Sequence, residues 1–243
     1  MTFFTPAWTG AAALLFDLDG VLTPTATVHE QAWQQLFDGY LAETGHPEGY
    51  RESDYYDHID GKPRFDGVRD FLVSRGISLP EEPAETGDAQ HQPTVQGLGN
   101  RKNQIFNEIV ENDGVTPYAG SVRFVEAALA RGLKLAVVSS SRNAPAVLKA
   151  AGLDHYFPVV VDGQVAAAKG LPGKPNPDTF TYAAGLLGVP PEQCIVVEDA
   201  VSGVQAGHAG DFLAVIGVDR GAGHQTLLDA GATYVVDDLD DLL

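Results

Sequence analysis

The sequence predicts an α/β fold in which a doubly wound parallel sheet carries an inserted α-helical domain. Short, continuously apolar runs alternate with helical patterns along most of the chain, which is typical of strands and helices arranged around a parallel sheet. Residues 28–113 break this alternation, because helical patterns follow one another there without convincing strands between them. We therefore expect a core domain formed by residues 1–27 and 114–243, interrupted by a helical domain at 28–113.

The core strands are predicted from apolar runs of four to six residues. Ala11–Phe16 is apolar throughout and ends in Asp-Leu-Asp-Gly, as expected for a parallel strand that is buried on both faces. The same form recurs at Leu133–Val138, Cys194–Val197 and Phe212–Val218. Helical patterns, each closed by a nearby glycine, are predicted at Val122–Ala130, Ala144–Ala151, Pro177–Leu187 and Val201–Ala209. This alternation indicates a Rossmann-like sheet.

The inserted domain is predicted to be helical, with one long loop. Its helical stretches are Glu30–Leu41, Gly67–Arg75 and Arg101–Glu111. The segment Leu79–Gly99 is rich in Pro, Glu, Gly and Gln, and we expect it to form an exposed loop.

Composition limits the partners and the compartment. Acidic residues outnumber basic residues 33 to 15, giving a formal net charge of −18, so we expect no nucleic acid and no anionic membrane as partner. Cys194 is the sole cysteine, which excludes an intrachain disulfide and agrees with the cytoplasm. The apolar stretch Phe3–Phe16 has no Lys or Arg before it, so we expect an arm and a strand instead of a signal peptide. No apolar run approaches the roughly 20 residues of a membrane span.

Polar side chains follow the predicted strands at their carboxyl ends, where open parallel sheets bind ligands. They are Asp17 and Asp19, Ser139 to Asn143, and Glu198 with Asp199, and Gly173-Lys174-Pro175 precedes a helix. These carboxylates in one crevice would repel one another strongly without a hard cation among them. Mg²⁺, which is bound by one or two carboxylates and a substrate phosphate, meets that need, so the sequence predicts a Mg²⁺ site.

These groups also match the needs of phosphoryl transfer. An aspartate such as Asp17 can accept a phosphoryl group covalently, which divides one hard displacement into two easier steps. Lys174 and the hydroxyl of Ser139 can then balance the charge on the phosphoryl oxygens, and Asp19 is placed to protonate the leaving oxygen. Each motif alone is more typical of a turn, a loop or a helix cap, but their joint occurrence in this order favours catalysis.

Four segments together resemble the ordered motifs of the haloacid dehalogenase superfamily: FDLDGVLT at Phe16–Thr23, VVSSS at Val137–Ser141, GKPNPD at Gly173–Asp178 and VVEDAVSG at Val196–Gly203. The insertion after the first motif resembles the helical cap domain of the beta-phosphoglucomutase family. Haloacid dehalogenases proper lack the second acidic residue of the first motif, so Asp19 argues for phosphoryl transfer over dehalogenation.

This resemblance implies roles for the core residues. Asp17 is expected to be the nucleophile and a metal ligand, and Asp19 the acid/base and a metal ligand through its main-chain carbonyl. Ser139 and Lys174 would bind the transferring phosphate. Asp199 would complete the protein ligands of Mg²⁺, with Glu198 as a neighbouring group outside them.

Further positions resemble the cap and rim of beta-phosphoglucomutases, where matching residues couple cap closure to catalysis and hold the phosphate that is not transferred. The resemblance implies substrate or phosphate binding by Thr25, His29, Gly61, Arg64, Lys102, Ser140, Ser141, Arg142 and Asn143. A guanidinium such as that of Arg64 suits bidentate phosphate binding, although Arg64 and Lys102 could instead be solvated charges. His29 could be an ordinary surface histidine, or it could pair with Asp19 near neutral pH.

The preferred function is Mg²⁺-dependent, beta-phosphoglucomutase-like interconversion of hexose 1-phosphate and hexose 6-phosphate, through a phosphoaspartate, by a cytoplasmic monomer. The main alternative is a phosphatase of small phosphorylated metabolites, in which water attacks the same aspartyl-phosphate. A catalytically silent ligand-binding domain is a third possibility. Both enzymes would use the same core residues, and Pro24 and Lys62-Pro63, which depart from the family pattern, leave the identity of the sugar open.

Overall fold

The computed structural model describes residues 10–46, 48–60, 62–81 and 93–243. The chain divides into two units: unit 1 comprises Met1–Thr25 and Val115–Leu243, and unit 2 comprises Ala26–Gly114. The insertion expected at 28–113 falls within unit 2, whose ends lie one or two residues farther out.

One parallel sheet of six strands, counted over the described residues, forms the framework of unit 1. Its strands are β1 Ala13–Phe16, β2 Lys134–Val138, β3 Val159–Val161, β4 Cys194–Glu198, β5 Ala214–Val218 and β6 Tyr234–Val236. They lie in the order β3-β2-β1-β4-β5-β6, and every neighbouring pair is parallel. Along the chain, β2 and β3 are added on one side of β1, and β4 is then added on the other side of β1. The topological switch point, where such sheets bind ligands, is therefore between the carboxyl ends of β1 and β4.

The helices alternate with the strands in unit 1 and follow one another in unit 2. In chain order they are α1 Thr25–Glu43, α2 Glu52–His58, α3 Arg64–Ser74, α4 Val95–Asp113, α5 Ala119–Ala130, α6 Ala144–Ala150, α7 Gly163–Lys169, α8 Asp178–Leu187, α9 Val201–Ala209 and α10 His224–Asp229. Short 3₁₀ turns lie at Asp154–Tyr156, Pro191–Gln193 and Leu239–Leu242. None of the helices in the described ranges combines the length and the apolar character that crossing a membrane requires.

The sheet of unit 1 is covered by apolar side chains on both faces, which is why its central strands read as unbroken apolar runs. On one face, Phe180 of α8 and Val204 of α9 belong to a buried cluster with strand residues such as Leu15. On the other face, the ring of Phe16 meets Phe124 of α5 edge to face, with 6.1 Å between centroids. Aromatic pairs at this geometry are favourable, and they fix the end of β1 immediately before Asp17.

Unit 2 has an apolar core of its own. The ring of Phe37 on α1 stacks on Phe71 of α3 at a centroid distance of 3.8 Å, and Trp33 stacks on Phe37 at 5.4 Å. Helix α4 approaches α3 closely because it has a glycine at 99: a Cβ there would lie 2.6 Å from the ring of Phe65. The contact between α3 and α4 therefore lies at a part of α4 where the composition favours a loop.

Several expectations from the sequence need correction at this level. The loop expected at Leu79–Gly99 ends earlier, because Val95–Gly99 form the first turn of α4, and residues 82–92 lie outside the described ranges. The strands expected from Ala11, Leu133 and Phe212 begin one or two residues later. The predicted set of strands and helices was incomplete, since β3, β6, α2, α7 and α10 were not predicted.

Candidate active site

Asp17 and Lys174 meet at the topological switch point. Asp17 follows β1 directly, and its main-chain N donates to the carbonyl of Val197 at 2.9 Å, which continues the pairing with β4. The Lys174 Nζ lies 2.5 Å from Oδ1 of Asp17 and 2.6 Å from Oε1 of Glu198. The same nitrogen donates to the carbonyl of Val138, at the end of β2, at 3.0 Å. One ammonium group thus joins the ends of the three central strands.

The charges in this group are buried and depend on one another. Burial by itself lowers the pKa of Lys174, but the carboxylates of Asp17 and Glu198 outweigh it and raise the pKa, so the ammonium stays protonated. Burial raises the pKa of Glu198, and Lys174 opposes that shift. Buried ions of this kind persist only when they are paired and hydrogen-bonded, so loss of any one group affects the other two.

A group of three carboxylates fits a divalent cation. Asp17, Glu198 and Asp199 each offer an oxygen, and these oxygens all lie within 4.8 Å of one another. The Asp199 carboxylate lies against Gly20, which has a φ of +88°, and a Cβ on Gly20 would overlap it. Hard oxygen donors around a shared point suit Mg²⁺. Glu198, expected outside the ligand set, has its carboxylate within this cluster, where Oε2 also accepts from the main-chain N of Asp199 at 3.0 Å.

The side chain of Asp19 is held by two hydroxyl groups. Thr25 Oγ1 donates to Asp19 Oδ1, and the hydroxyls of Thr25 and Thr23 share a hydrogen bond of 2.7 Å. Ser139 Oγ donates to the other oxygen, Oδ2, at 3.4 Å. Thr25, expected to bind substrate, is only 1% exposed. Its position in the structure is that of a buried partner of the Asp19 carboxylate.

The turn after β2 is stabilised by its own hydroxyl groups. The main-chain N of Ser139 donates to the carbonyl of Val161 at 3.0 Å, which extends the pairing of β2 with β3. Ser139 Oγ accepts from the N of Ser141, and Ser141 Oγ accepts from the N of Asn143, both at 3.1 Å. These bonds place the Ser139 hydroxyl beside Asp19 and leave Ser141 and Asn143 in the turn that follows.

The remaining two residues of this turn contact the start of α7. The carbonyl of Ser140 lies where a Cβ on Gly163 would stand 2.6 Å away, so a glycine is needed for this approach. The carbonyl of Arg142 accepts from Gln164 Nε2 at 3.1 Å, and the Arg142 residue is exposed. The four turn residues predicted to bind phosphate, Ser140 to Asn143, therefore lie together at the end of β2.

Arg220 is a residue of this region that sequence reasoning missed. It lies after β5, where its Nε donates to the carbonyl of Gly20 at 2.9 Å and its guanidinium carbon lies 3.9 Å from the centroid of the Tyr118 ring. The signal was available, because Val218-Asp219-Arg220 is another apolar strand that ends in charged residues, like those after β1 and β4.

The predicted cap residues form a separate group in unit 2. Arg64, the first residue of α3, donates from a guanidinium nitrogen to Asn103 Oδ1 on α4 at 2.7 Å. Lys102, on the same helix, is 2% exposed, and its Nζ lies 5.1 Å from the centroid of the Trp33 ring. The alternative that Lys102 is a solvated surface charge is therefore wrong. Gly61 lies outside the described residues.

His29 packs within this group. Its ring stacks on Phe106 at a centroid distance of 4.1 Å, and its Nδ1 is hydrogen-bonded to Lys102. Burial, followed by the charges of Lys102 and Arg64, holds the pKa of His29 well below its usual value. The imidazole is therefore neutral near neutral pH, and its pairing with Asp19 stays a prediction.

The chain is similar to known proteins along most of its length. A sequence model of haloacid dehalogenase-like hydrolases matches residues 11–211. A Mycobacterium bovis protein named beta-phosphoglucomutase is 47% identical over 95% of this chain and 91% of its own length. A Thermotoga maritima protein named phosphorylated carbohydrates phosphatase is 28% identical over 92% of this chain and 93% of its own. The crystal structure of a beta-phosphoglucomutase from Clostridium difficile matches 96% of this chain and 93% of that one, with a TM-score of 0.77 and 25% identity.

Proposed function

Because this chain belongs to the haloacid dehalogenase-like hydrolases, we propose that it transfers phosphoryl groups through an aspartyl-phosphate on Asp17 and interconverts a hexose 1-phosphate and a hexose 6-phosphate. The observation that carries the choice of a mutase is the 47% identity to a beta-phosphoglucomutase over 95% of the chain. That likeness covers unit 2 as well as the sheet, and its identity is well above the 28% to the phosphorylated carbohydrates phosphatase, which also matches most of the chain.

The first half-reaction phosphorylates the enzyme. A carboxylate oxygen of Asp17 attacks the phosphorus of a sugar phosphate, and the bond from phosphorus to the sugar oxygen breaks. Asp19 gives a proton to the departing oxygen. Lys174 and Ser139 stabilise the negative charge that spreads over the other phosphoryl oxygens.

The second half-reaction reverses these roles on another oxygen. Asp19 takes the proton from a free hydroxyl of a hexose phosphate, and that oxygen attacks the phosphorus of phospho-Asp17. The bond from phosphorus to Asp17 breaks, which gives a hexose bisphosphate. This bisphosphate then binds in the opposite orientation, and Asp17 takes the other phosphoryl group, which releases the isomeric monophosphate.

We assign the metal site to Asp17, Asp199 and the main-chain carbonyl of Asp19, with Glu198 close enough to contribute. Mg²⁺ bound there would act as a Lewis acid on the phosphoryl oxygens. The support from this chain is the spacing of the carboxylate oxygens of Asp17, Glu198 and Asp199.

The cations of unit 2 support a substrate with a second anionic end. We assign Arg64 to the phosphate that is not being transferred, because a guanidinium matches phosphate oxygens in a bidentate geometry. Lys102 and His29 are assigned to the same end of the substrate, and Gly61 remains a prediction. The turn formed by Ser140 to Asn143 is assigned to phosphate binding in unit 1.

A phosphatase is the second candidate function. It is favoured by the 28% identity to a phosphorylated carbohydrates phosphatase over 92% of the chain. The chemistry would differ only in the second half-reaction, where water instead of a sugar hydroxyl attacks phospho-Asp17.

Phosphorus NMR separates the two candidates. The enzyme is incubated with beta-glucose 1-phosphate, Mg²⁺ and a trace of glucose 1,6-bisphosphate, with Asp17→Asn as the control protein. A mutase converts the starting signal to that of glucose 6-phosphate while inorganic phosphate stays near its initial level. Growth of inorganic phosphate without glucose 6-phosphate would overturn the mutase in favour of the phosphatase.

A further inference from the structure

Three consecutive carbonyls of the loop after Asp17 are held by donors from distant parts of unit 1. The bonds run from Arg220 Nε to Gly20 O at 2.9 Å, from Ser121 Oγ to Val21 O at 2.6 Å and from Tyr118 N to Leu22 O at 3.0 Å. The loop conformation therefore depends on contacts with α5 and with the segment after β5.

The guanidinium of Arg220 has further contacts besides its hydrogen bond to Gly20. A second guanidinium nitrogen donates to the carbonyl of Asp237 at 2.9 Å, and a third lies 3.5 Å from Oδ2 of Asp238. The guanidinium plane also lies over the ring of Tyr118. Because a guanidinium is planar and carries donors in a rigid fork, these contacts determine the direction in which Nε points at Gly20.

Gly20 is the position at which such a restraint matters most. A glycine leaves both backbone dihedrals with wide freedom, and Gly20 uses that freedom at a φ of +88°. Its N donates to the carbonyl of Thr23 at 2.8 Å, which restrains the peptide plane shared with Asp19. Its O accepts from Arg220, which restrains the next peptide plane. The two bonds together prevent rotation on either side of the Cα.

Two assigned metal ligands depend directly on this orientation. The carbonyl of Asp19 belongs to the peptide plane that Gly20 N shares, so rotation at Gly20 would turn that oxygen. The Asp199 carboxylate lies against the Cα of Gly20, in space that a Cβ would occupy. A displaced Gly20 would therefore move Asp199 as well.

We propose that Arg220 is a positioning residue which, through Gly20, keeps the Asp19 carbonyl and the Asp199 carboxylate in place for the metal ion. The inference rests on the proposed function in so far as these two groups are the ligands assigned there. Arg220 is not one of the assigned ligands, so its effect is on the affinity for the ion and, through it, on turnover.

The test measures metal binding directly. Mn²⁺ replaces Mg²⁺ as a spin-active probe, and the unbound ion is counted by electron paramagnetic resonance during a titration of the full chain. Asp219, His224 and Asp237 form another group of potential ligands within 4.8 Å of one another, so all proteins carry His224→Ala to remove that site. Asp199→Ala shows the signal that remains when the proposed site is impaired.

Arg220→Ala should weaken Mn²⁺ binding about tenfold, as expected for the loss of a charge-assisted hydrogen bond. Arg220→Lys keeps one donor for the Gly20 carbonyl and should recover part of the affinity. Arg123→Ala is the matched control, because Arg123 also binds the C-terminal segment, through Asp240, without touching the loop. It should bind Mn²⁺ like the protein that carries His224→Ala alone.

An Mn²⁺ affinity in Arg220→Ala equal to that of the protein with His224→Ala alone would overturn the inference. If Arg220→Ala does not fold, Arg220→Gln is measured instead. Weaker Mn²⁺ binding by this variant is expected, and unchanged Mn²⁺ binding would contradict the proposal. The NMR assay above tests the proposed function separately. If the protein shows no mutase activity but its Mn²⁺ affinity depends on Arg220, only the proposed mutase function is wrong. If the protein is fully active as a mutase but its Mn²⁺ affinity does not depend on Arg220, only this inference is wrong.

Discussion

The ammonium nitrogen of Lys174 lies 2.5 Å from Oδ1 of Asp17, and both side chains are buried. The cation is therefore already beside the proposed nucleophile, held by the carbonyl of Val138 at the end of β2, before a phosphoryl group would arrive. Donors that are fixed where negative charge will develop need no reorganisation during the reaction, which is the main source of electrostatic catalysis. The ion pair of Lys174 and Asp17 stabilises the folded protein, and the same ion pair belongs to the proposed catalytic site.

Asp17→Asn should abolish mutase and phosphatase activity, because an amide cannot take up the phosphoryl group. Loss of a nucleophile of this kind lowers turnover by roughly 10³-fold or more. Phosphorus NMR of both reactions measures the loss, and circular dichroism checks that the fold is kept. Turnover near the wild-type rate would rule out the covalent route.

Lys174→Met should destabilise the protein and make it depend on Mg²⁺ for stability. Removal of the ammonium leaves the carboxylates of Asp17 and Glu198 buried without their cation, and breaking a buried pair costs about 3–5 kcal/mol. A bound cation would offset part of that cost. Thermal unfolding with and without Mg²⁺ should show a larger gain in Tm for this variant than for the wild type.

The matched control for this experiment is Lys134→Met. Lys134 donates to the carbonyl of Leu187 at 2.6 Å and has no role in the carboxylate cluster. Its gain in Tm from Mg²⁺ should equal that of the wild type. An equal gain in all three proteins would show that Lys174 does not compensate the charges of the metal ligands.

Arg64→Ala should lower the mutase kcat/KM by roughly ten- to a hundredfold, because a charge-assisted hydrogen bond to the distal phosphate is lost. Hydrolysis of a small aryl phosphate, which has no second phosphate, should change much less. Arg69→Ala is the control on the same helix: its guanidinium binds Asp66 and Glu81 at the surface. Equal losses in both reactions would mean that Arg64 supports unit 2 in general, and no loss would favour the phosphatase.

His29→Gln should make stability less sensitive to acid. The pKa of His29 in the folded protein is lowered from its usual 6.5, so the unfolded chain binds the proton more readily. The stability that neutral His29 contributes is present above that usual pKa and is lost as the pH falls below it. The wild type should therefore lose up to about 1.4 kcal/mol per pH unit more than the variant.

Denaturant unfolding at about pH 7.5 and about pH 5.5 measures this difference. His58→Gln controls for the loss of an imidazole from the same unit. Identical pH dependence in wild type and His29→Gln would show that His29 is protonated in the folded protein as easily as in the unfolded chain.

The central part of the sheet could be predicted from the sequence because burial on both faces leaves an unmistakable pattern. β1 and β4 consist of buried residues only, and their apolar runs were identified to within a residue or two. β3 follows Pro158, has only three residues and is partly exposed, as is β6. Such short edge strands cannot be told from loops by periodicity.

The start of α4 shows how packing overrides local propensity. Gly97 and Gly99 disfavour a helix by roughly 1 kcal/mol each, so the local sequence indicates a loop. In the structure both residues are buried in the helix, and Gly99 admits the ring of Phe65. The close contact between α3 and α4 needs that missing side chain, and no local pattern contains this information.

The candidate site was predictable where its residues follow apolar strands. The rule that ligands bind at carboxyl ends brought Asp17, Glu198 and Asp199 to one place, although their catalytic roles stay predictions. The place of Arg220 after an apolar strand was a usable signal, but its bond to Gly20, which joins residues 200 positions apart, could not be predicted from that pattern. Only the three-dimensional course of the chain shows such a contact.

The position of β1 between β2 and β4 has a consequence for the nascent chain on the ribosome. β1 is synthesised before both of its neighbours, which begin at Lys134 and Cys194. The helices of unit 2 emerge before either neighbour, and contacts that are close in sequence form faster than distant strand pairings. Unit 2 is therefore expected to fold first, whereas β1, which leads to Asp17, cannot pair until both neighbouring strands have been synthesised. Protease digestion of ribosome-stalled chains that end before Cys194 should spare the helices of unit 2 and cut near β1.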